Sequence, residues 1–146
     1  ILLLFGGGLS IAKGFQATGL DHWIGDQLSF LTFSSSLLVI FLIIAGVNFL
    51  TEMTSNMATT AMLLPVMIPI ANIMQINPFL LLVGTTLAAS CAFMLPVATP
   101  PNAVVFGSKL LKISDMVKAG ILINIFSIII ILIMVYFGMP ILWSLS

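Results

Sequence analysis

Long apolar runs fill most of this sequence, and they constrain its fold more than any other feature. Of the 146 residues, 61% are hydrophobic and only 5% are charged, and the mean hydropathy is +1.32. A soluble domain carries roughly 25% charged residues, which it needs to cover its surface. We therefore expect an all-α integral membrane protein, because helices satisfy their backbone hydrogen bonds internally within lipid.

Charge and cysteine content exclude several classes of protein. The net charge is zero and the sequence has no basic or acidic block, so we expect no nucleic-acid partner and no polybasic attachment to a membrane surface. The lone Cys91 excludes a disulfide framework and a cysteine-based metal cluster. The apolar segments hold no nucleophile and base pair, which argues against a membrane-embedded enzyme.

The lengths of the apolar runs indicate which segments cross the bilayer, since a crossing helix needs about 20 apolar residues at ~1.5 Å each. Residues 37–50 reach only about 21 Å before the polar residues 51–56. A second apolar run, 57–74, ends in a predicted turn at 75–78. Two arms around a polar tip without a basic anchor predict a re-entrant helical hairpin over 31–77.

The rest of the sequence divides into three further segments. Residues 1–30 are predicted to form a transmembrane helix and an extracytoplasmic loop. Residues 78–111 form a broken helix, because the prolines after position 95 remove backbone donors and oppose helix in the residues before them. Residues 112–146 form the last transmembrane helix. Three of the four basic residues lie in 107–118, which the positive-inside rule places in the cytoplasm.

Two polar and irregular elements interrupt the apolar sequence, at 51–56 and at 98–102. In hydrocarbon each unsatisfied backbone group costs several kcal/mol, so such elements survive only inside protein or beside a water-filled cavity. We expect the two to face each other. Unwound carbonyl oxygens suit a sodium ion and helix N-termini suit an anion, so together they predict a cation-coupled anion site.

The residues of the first element fit this chemistry. Thr51, Thr54 and Ser55 offer hydroxyls, and Asn56 offers an amide that both donates and accepts. A helix predicted to begin near Met57 points its N-terminus at them. The alternative is that Ser55 and Asn56 merely cap that helix, as these residue types often do.

Glu52 is the only carboxylate within the apolar core, and an intramembrane acid is a functional hypothesis by default. It could help to hold a cation or serve as a proton site. Equally, it could accept backbone N–H bonds and brace the tip.

These two elements resemble the second repeat of the divalent anion:sodium symporter family, which contains dicarboxylate, citrate and sulfate cotransporters. The stretch TEMTSNMATTA begins at Thr51, and ATPPNAVVFGS begins at Ala98. The stretches LLFGGGL, SCAFMLPV and KISDMV also look like family sequence, so the resemblance runs nearly from end to end. It covers only the C-terminal one of two inverted repeats.

The resemblance implies a fold, a site and partners. It implies one half of an inverted-repeat, elevator-type transporter with a re-entrant hairpin and a discontinuous helix. The implied sodium ligands are Thr51, Thr54, Asn56 and Ala98. The implied substrate-binding residues are Ser55, Asn56, Met57, Thr99 and Pro100. Met57 replaces a threonine of the family pattern and has no hydroxyl, so we expect its backbone to matter more than its side chain.

The resulting expectation is sodium symport of a divalent anion, a C4-dicarboxylate such as succinate, or citrate or sulfate, by a multi-pass protein of the plasma or inner membrane. Its partners would be the anion, co-transported Na⁺, membrane lipid, the missing N-terminal repeat and a second copy in a homodimer. The alternatives are a proton-coupled anion transporter or a channel, with Glu52 as the titrating group. A structural membrane subunit ranks last, because it leaves both polar elements unexplained.

Overall fold

The computed structural model describes residues 3, 6, 7, 10, 13, 14, 17–20, 23 and 36–143. Over 36–143 the described chain is helical and contains no strand. The helices are α1 (Ser36–Met53), α2 (Asn56–Ile73), α3 (Pro78–Ser90), α4 (Pro100–Gly107), α5 (Ile113–Ile133) and α6 (Met139–Trp143), with a π-helical turn Met134–Gly138 between α5 and α6. The predicted transmembrane helix and loop at 1–30 lie largely outside the described residues, as does the start of the predicted hairpin.

Three helices in the described part are long and apolar enough to cross a membrane. They are α1, α2 and the continuous helix Ile113–Leu142. At ~1.5 Å per residue, the 18 residues of α1 reach about 27 Å. The prediction that the polar residues end this helix at position 50 is therefore wrong, because Thr51 and Glu52 stay helical. Length alone then does not distinguish a re-entrant arm from a crossing helix.

The polar tip is shorter than predicted, since only Thr54 and Ser55 separate α1 from α2. The two helices do not pack mainly on each other. Instead α3 packs against both, and α1 packs also against α5. Pro65 and Pro69 lie inside α2, and the helix continues through them.

The turn between α2 and α3 is fixed by its local sequence. Gln75 has a positive φ of 54°, and the N–H of Ile76 donates to the carbonyl of Ala71 at 2.9 Å, which is a Schellman ending. At the start of α3, Asn77 Oδ1 accepts the N–H of Phe79 at 3.0 Å, and Pro78 occupies the first helical position. The predicted turn at 75–78 is confirmed.

The break in the second polar region lies earlier than predicted. We call residues 91–99 the unwound segment, because α3 ends at Ser90 and α4 begins at Pro100. The irregular element was predicted at 98–102, beside the prolines that follow position 95. Pro100 and Pro101 instead form the first turn of α4, where a missing N–H costs no helical bond.

The last long helix begins at Ile113, within the stretch 107–118 that holds three of the four basic residues. The backbone N–H of Lys112 donates to Asp115 Oδ2 at 3.1 Å and starts the helix. The π-helical turn precedes Pro140, which has no N–H and crowds the carbonyl four residues before it.

One apolar core joins these helices. It is formed by residues of α1, α2, α3, α5 and the π-helical turn: Val39, Ile40, Ile44, Val47, Met67, Ala71, Leu81, Ala88, Ala89, Ile128, Ile131 and Val135. The α4 helix contributes no buried residue. The core thus holds the end of α1 beside the unwound segment, which is where the polar side chains gather.

Candidate functional site

Glu52 lies at the centre of the polar cluster, and its side chain holds the unwound segment. Its Oε1 accepts the N–H groups of Phe93 at 2.7 Å and Met94 at 3.0 Å, and its Oε2 accepts those of Met94 and Leu95, both at 3.0 Å. Three successive N–H groups form a concave anion-binding nest. Glu52 is only 3% exposed. The first predicted polar element therefore contacts residues 93–95 of the unwound segment, which precede the second predicted element at 98–102.

Asn124 of α5 completes the set of donors around this carboxylate. Its Nδ2 donates to Glu52 Oε1 at 2.7 Å, and the residue is 0% exposed. Its Oδ1 has no hydrogen-bond partner among the described residues. Sequence reasoning missed Asn124, although an amide in the middle of an apolar crossing helix is an available signal.

Two further asparagines bind carbonyl oxygens of the unwound segment. Asn48 Nδ2 donates to the Cys91 carbonyl at 2.7 Å. Asn102 Nδ2 lies 3.1 Å from the carbonyl oxygens of both Ala92 and Leu95. These bonds satisfy three carbonyl oxygens of the unwound segment, which follows the end of the helix at Ser90. Asn48 was also missed, because the sequence analysis counted it within an apolar run.

The backbone of α5 approaches the unwound segment closely at Gly120. A Cβ built on Gly120 would lie 2.6 Å from Met94 Cα and would also clash with the carbonyl group of Phe93. Only glycine therefore fits at this position without movement of the segment. Gly120 and Asn124, one helical turn apart, connect α5 to the same short stretch of backbone.

The predicted sodium ligands are only partly brought together. The Thr51 hydroxyl lies 2.8 Å from Asn56 Oδ1 and 2.9 Å from the Ala89 carbonyl oxygen. Thr54 instead donates to the Leu50 carbonyl at 3.0 Å and pairs with the Thr59 hydroxyl. Ala98 is buried at the far end of the unwound segment, where its N–H donates to the Leu95 carbonyl at 3.2 Å.

The predicted substrate-binding residues lie at the starts of two helices. Ser55 occupies the N-cap position of α2 but its side chain makes no capping hydrogen bond. Asn56 and Met57 line an open pocket of about 290 Å³, together with Thr60, Ala61, Leu64 and Ser90. Met57 is 60% exposed.

Thr99 and Pro100 stand at the start of α4. Thr99 Oγ1 accepts the N–H of Asn102 at 3.4 Å, and Pro100 is exposed. Neither residue is among those that line the pocket beside Met57.

Comparison with known proteins decides the family. Residues 1–144 match the family described as the sodium:sulfate symporter transmembrane region. The chain belongs to this family. The resemblance found in the sequence is thereby confirmed. The family is one of multi-pass membrane transporters rather than enzymes, and the described residues 36–143 contain helices and no strand.

Two curated relatives of this symporter family are close in sequence to the chain. One is the sodium-dependent dicarboxylate transporter SdcS of Staphylococcus saprophyticus, 45% identical over 140 residues, which are 96% of this chain and 27% of the relative. The other is the protein of the same name from Staphylococcus aureus strain USA300, 46% identical over 141 residues, which are 97% of this chain and 27% of the relative. The chain thus spans about a quarter of the length of these relatives.

Proposed function

We propose that this chain forms part of a secondary active transporter that moves a divalent anion, a C4-dicarboxylate such as succinate, together with sodium ions. It supplies one of two sodium sites and one side of the anion site. Citrate and sulfate are the other candidate substrates. The transport step makes and breaks no covalent bond.

The observation that carries this proposal is the polar cluster at the end of α1. Glu52 and Asn102, with Asn48, bind the backbone of an unwound segment whose nine residues lie between apolar helices. Irregular backbone at membrane depth is tolerated where it is buried in protein or lines a cavity for a substrate or ion. A subunit with only a structural role would have no use for such a break, because an unbroken apolar helix would satisfy its own backbone hydrogen bonds.

The sodium site would lie where α1 ends and α2 begins. Thr51 Oγ1 and Asn56 Oδ1 are 2.8 Å apart, and both are oxygen donors of the kind that hard cations prefer. Ala98 would add a backbone carbonyl from the unwound segment, and Thr54 a backbone oxygen from the tip. With the Thr51 hydroxyl donating to the Ala89 carbonyl instead of Asn56, lone pairs of Thr51 Oγ1 and Asn56 Oδ1 would both be free for an ion.

The anion would bind at the start of α2, beside the sodium ion. The Ser55 hydroxyl is not used as a helix cap, and the amide of Asn56 can donate to a carboxylate. The N-terminal N–H groups of α2 add a partial positive charge. Met57 forms an apolar wall of the open pocket, and Thr99 and Pro100 would close the site from the start of α4.

The proposed architecture keeps the segments that were predicted from the sequence. Residues 31–77 would form a re-entrant hairpin, 78–111 the broken helix and 112–146 the last transmembrane helix. A second, inverted repeat would supply the other hairpin and the first sodium site. The full-length protein would work as a homodimer with an elevator-type movement.

Proton coupling through Glu52 has less support. Every partner of its carboxylate among the described residues is a donor, namely three backbone N–H groups and the Asn124 amide. A carboxyl group that carried a proton would need an acceptor for it. The geometry therefore suits a bracing role better than that of a proton carrier.

Uptake into proteoliposomes tests the proposal. The full-length transporter containing this chain is reconstituted, and uptake of radiolabelled succinate is measured with a sodium, potassium or proton gradient as the only driving force. We expect uptake when sodium is the only driving force. Inhibition of succinate uptake by unlabelled citrate or sulfate then ranks the three anions as substrates. Uptake driven by protons without sodium would refute sodium coupling. The absence of uptake of all three anions under every gradient would refute the proposed substrate class.

A further inference from the structure

We propose that Asn124 is a positioning residue that, through Glu52, sets the conformation of the unwound segment and thereby the sodium affinity of the site. The inference rests on the proposed function, because it concerns the same site. It adds a residue that lies on α5, away from the predicted sodium and substrate ligands.

The first step is the geometry of the shared oxygen atom. Glu52 Oε1 accepts the Asn124 amide at 2.7 Å and the Phe93 N–H at 2.7 Å. A donor fixed on one side of a carboxylate restricts its rotation, as second-shell partners do for metal ligands. Asn124 therefore determines which way the two oxygen atoms of Glu52 face the N–H groups of the unwound segment.

The second step connects this carboxylate to the proposed ligands. Glu52 follows Thr51 directly in α1, and the Thr51 hydroxyl lies 2.8 Å from Asn56 Oδ1. Glu52 also binds the N–H of Leu95 in the unwound segment, and Ala98 lies three residues after Leu95. Rotation of the carboxylate would therefore shift Ala98 relative to Thr51 and Asn56, the other proposed sodium ligands.

The third step is that Asn124 is a costly residue at this position. It is fully buried in an apolar helix, and its Oδ1 lacks a partner in the described part of the chain. A leucine of similar size would remove the unpaired oxygen atom and pack against the core. The one side-chain hydrogen bond of Asn124 within the described part of the chain is to Glu52, which ties this costly amide to the carboxylate that holds the unwound segment.

The test replaces the amide and measures the sodium dependence of succinate uptake by the full-length transporter. Asn124→Leu removes the donor at similar volume, and Asn124→Ser places a short hydroxyl where it bonds its own helix. Asn124→Gln retains an amide donor. Asn72→Leu, the same change at an exposed position of α2, is the matched control.

We expect Asn124→Leu and Asn124→Ser to raise the sodium concentration for half-maximal uptake by about tenfold, the lower range for loss of a second-shell partner. Their maximal uptake at saturating sodium should stay near the wild-type value, while loss of a donor to the buried Glu52 carboxylate should lower their melting temperatures. Asn124→Gln should recover most of the sodium affinity, and Asn72→Leu should not change it. An unchanged sodium dependence in both removal variants would overturn the inference. So would an equal loss of uptake at all sodium concentrations with a lowered melting temperature, which indicates a structural role only.

A second measurement does not depend on transport. Cys91 is the only cysteine of the chain and begins the unwound segment. In a background without other cysteines, its reaction rate with N-ethylmaleimide reports the conformation of that segment. We expect the rate to rise several-fold in Asn124→Leu and Asn124→Ser but not in Asn72→Leu, and equal rates would contradict the inference. Failure of wild-type uptake would count against the proposed function, whereas equal labelling would count against the role of Asn124.

Discussion

Gly120 provides a sharp test of the packing between α5 and the unwound segment, through the substitution Gly120→Ala. The added Cβ would lie 2.6 Å from Met94 Cα, whereas ordinary van der Waals contact begins at 3.4 Å. The backbone would have to move by about 0.8 Å, the difference between these two distances, to restore ordinary contact. The obstacle is backbone rather than the end of a flexible side chain, so local rotation of a side chain cannot relieve the clash.

The expected loss of stability follows from two opposing effects. Overpacking of a closely packed interior costs typically 1–3 kcal/mol, and the rigid neighbours of Gly120 place it at the upper end. Alanine in a helix gains up to about 1 kcal/mol over glycine. We therefore expect Gly120→Ala to destabilise the protein by about 2 kcal/mol. Because the segment carries the Glu52 contacts, sodium-dependent uptake should fall as well.

Gly84→Ala is the matched control, since Gly84 is also buried within a helix. Its added Cβ would meet only side chains at ordinary contact distances, Ile44 Cγ1 at 3.4 Å and Val135 Cγ2 at 3.8 Å. Thermal unfolding of the detergent-solubilised, full-length proteins compares the two variants. We expect Gly84→Ala to unfold at or above the wild-type temperature and Gly120→Ala clearly below it. Equal unfolding temperatures would refute the close approach of α5 to the unwound segment.

Three further predictions concern single side chains of the site. Asn102→Ala removes the donor to two carbonyl oxygens of the unwound segment, so we expect a loss of about 1–3 kcal/mol, measured by thermal unfolding; wild-type stability would contradict this. Thr51→Val keeps the buried volume but removes the hydroxyl, and we expect a higher half-saturating sodium concentration, whereas Thr86→Val at an exposed position of α3 should leave it unchanged. Met57→Thr changes an exposed pocket wall, so the ratio of citrate to succinate uptake should shift without a change in melting temperature; an unchanged ratio would remove Met57 from the anion site.

The membrane class and the division into helices were predictable from the sequence because they depend on local composition. Apolar runs and the paucity of charge predict spanning helices, and the turn at 75–78 follows from its asparagine and proline. These features act between residues that are close in sequence. No tertiary contact is needed to recognise them.

The ends of the helices near the site were not predictable in the same way. Thr51 and Glu52 were predicted to lie beyond the end of α1, yet they are helical. Their hydrogen-bond partners lie about 40 residues later, at Ala89 and in the unwound segment. The unwound segment starts early for the same reason, since Glu52 and Asn48 supply the bonds that a helix would have made. Polar partners distant in sequence overrode local hydropathy at both ends.

Asn124 is a residue that an analysis of average hydropathy misses. Averaged over the 21 residues of α5, one amide hardly changes the apolar character of the helix. Its importance becomes visible only when α5 is placed beside Glu52. A polar residue in a crossing helix is best examined singly, because in lipid each one needs a partner.

The central claim is that the start of α2 couples sodium to an anion, and binding to Asn56→Ala tests it most directly. Succinate binding to the purified full-length transporter is titrated at several sodium concentrations, with Asn72→Ala on the same helix as the matched control. We expect sodium to tighten succinate binding in the wild type and in Asn72→Ala, with succinate tightening sodium binding by the same factor. In Asn56→Ala this coupling should be lost. Intact coupling in a folded Asn56→Ala protein would contradict the account.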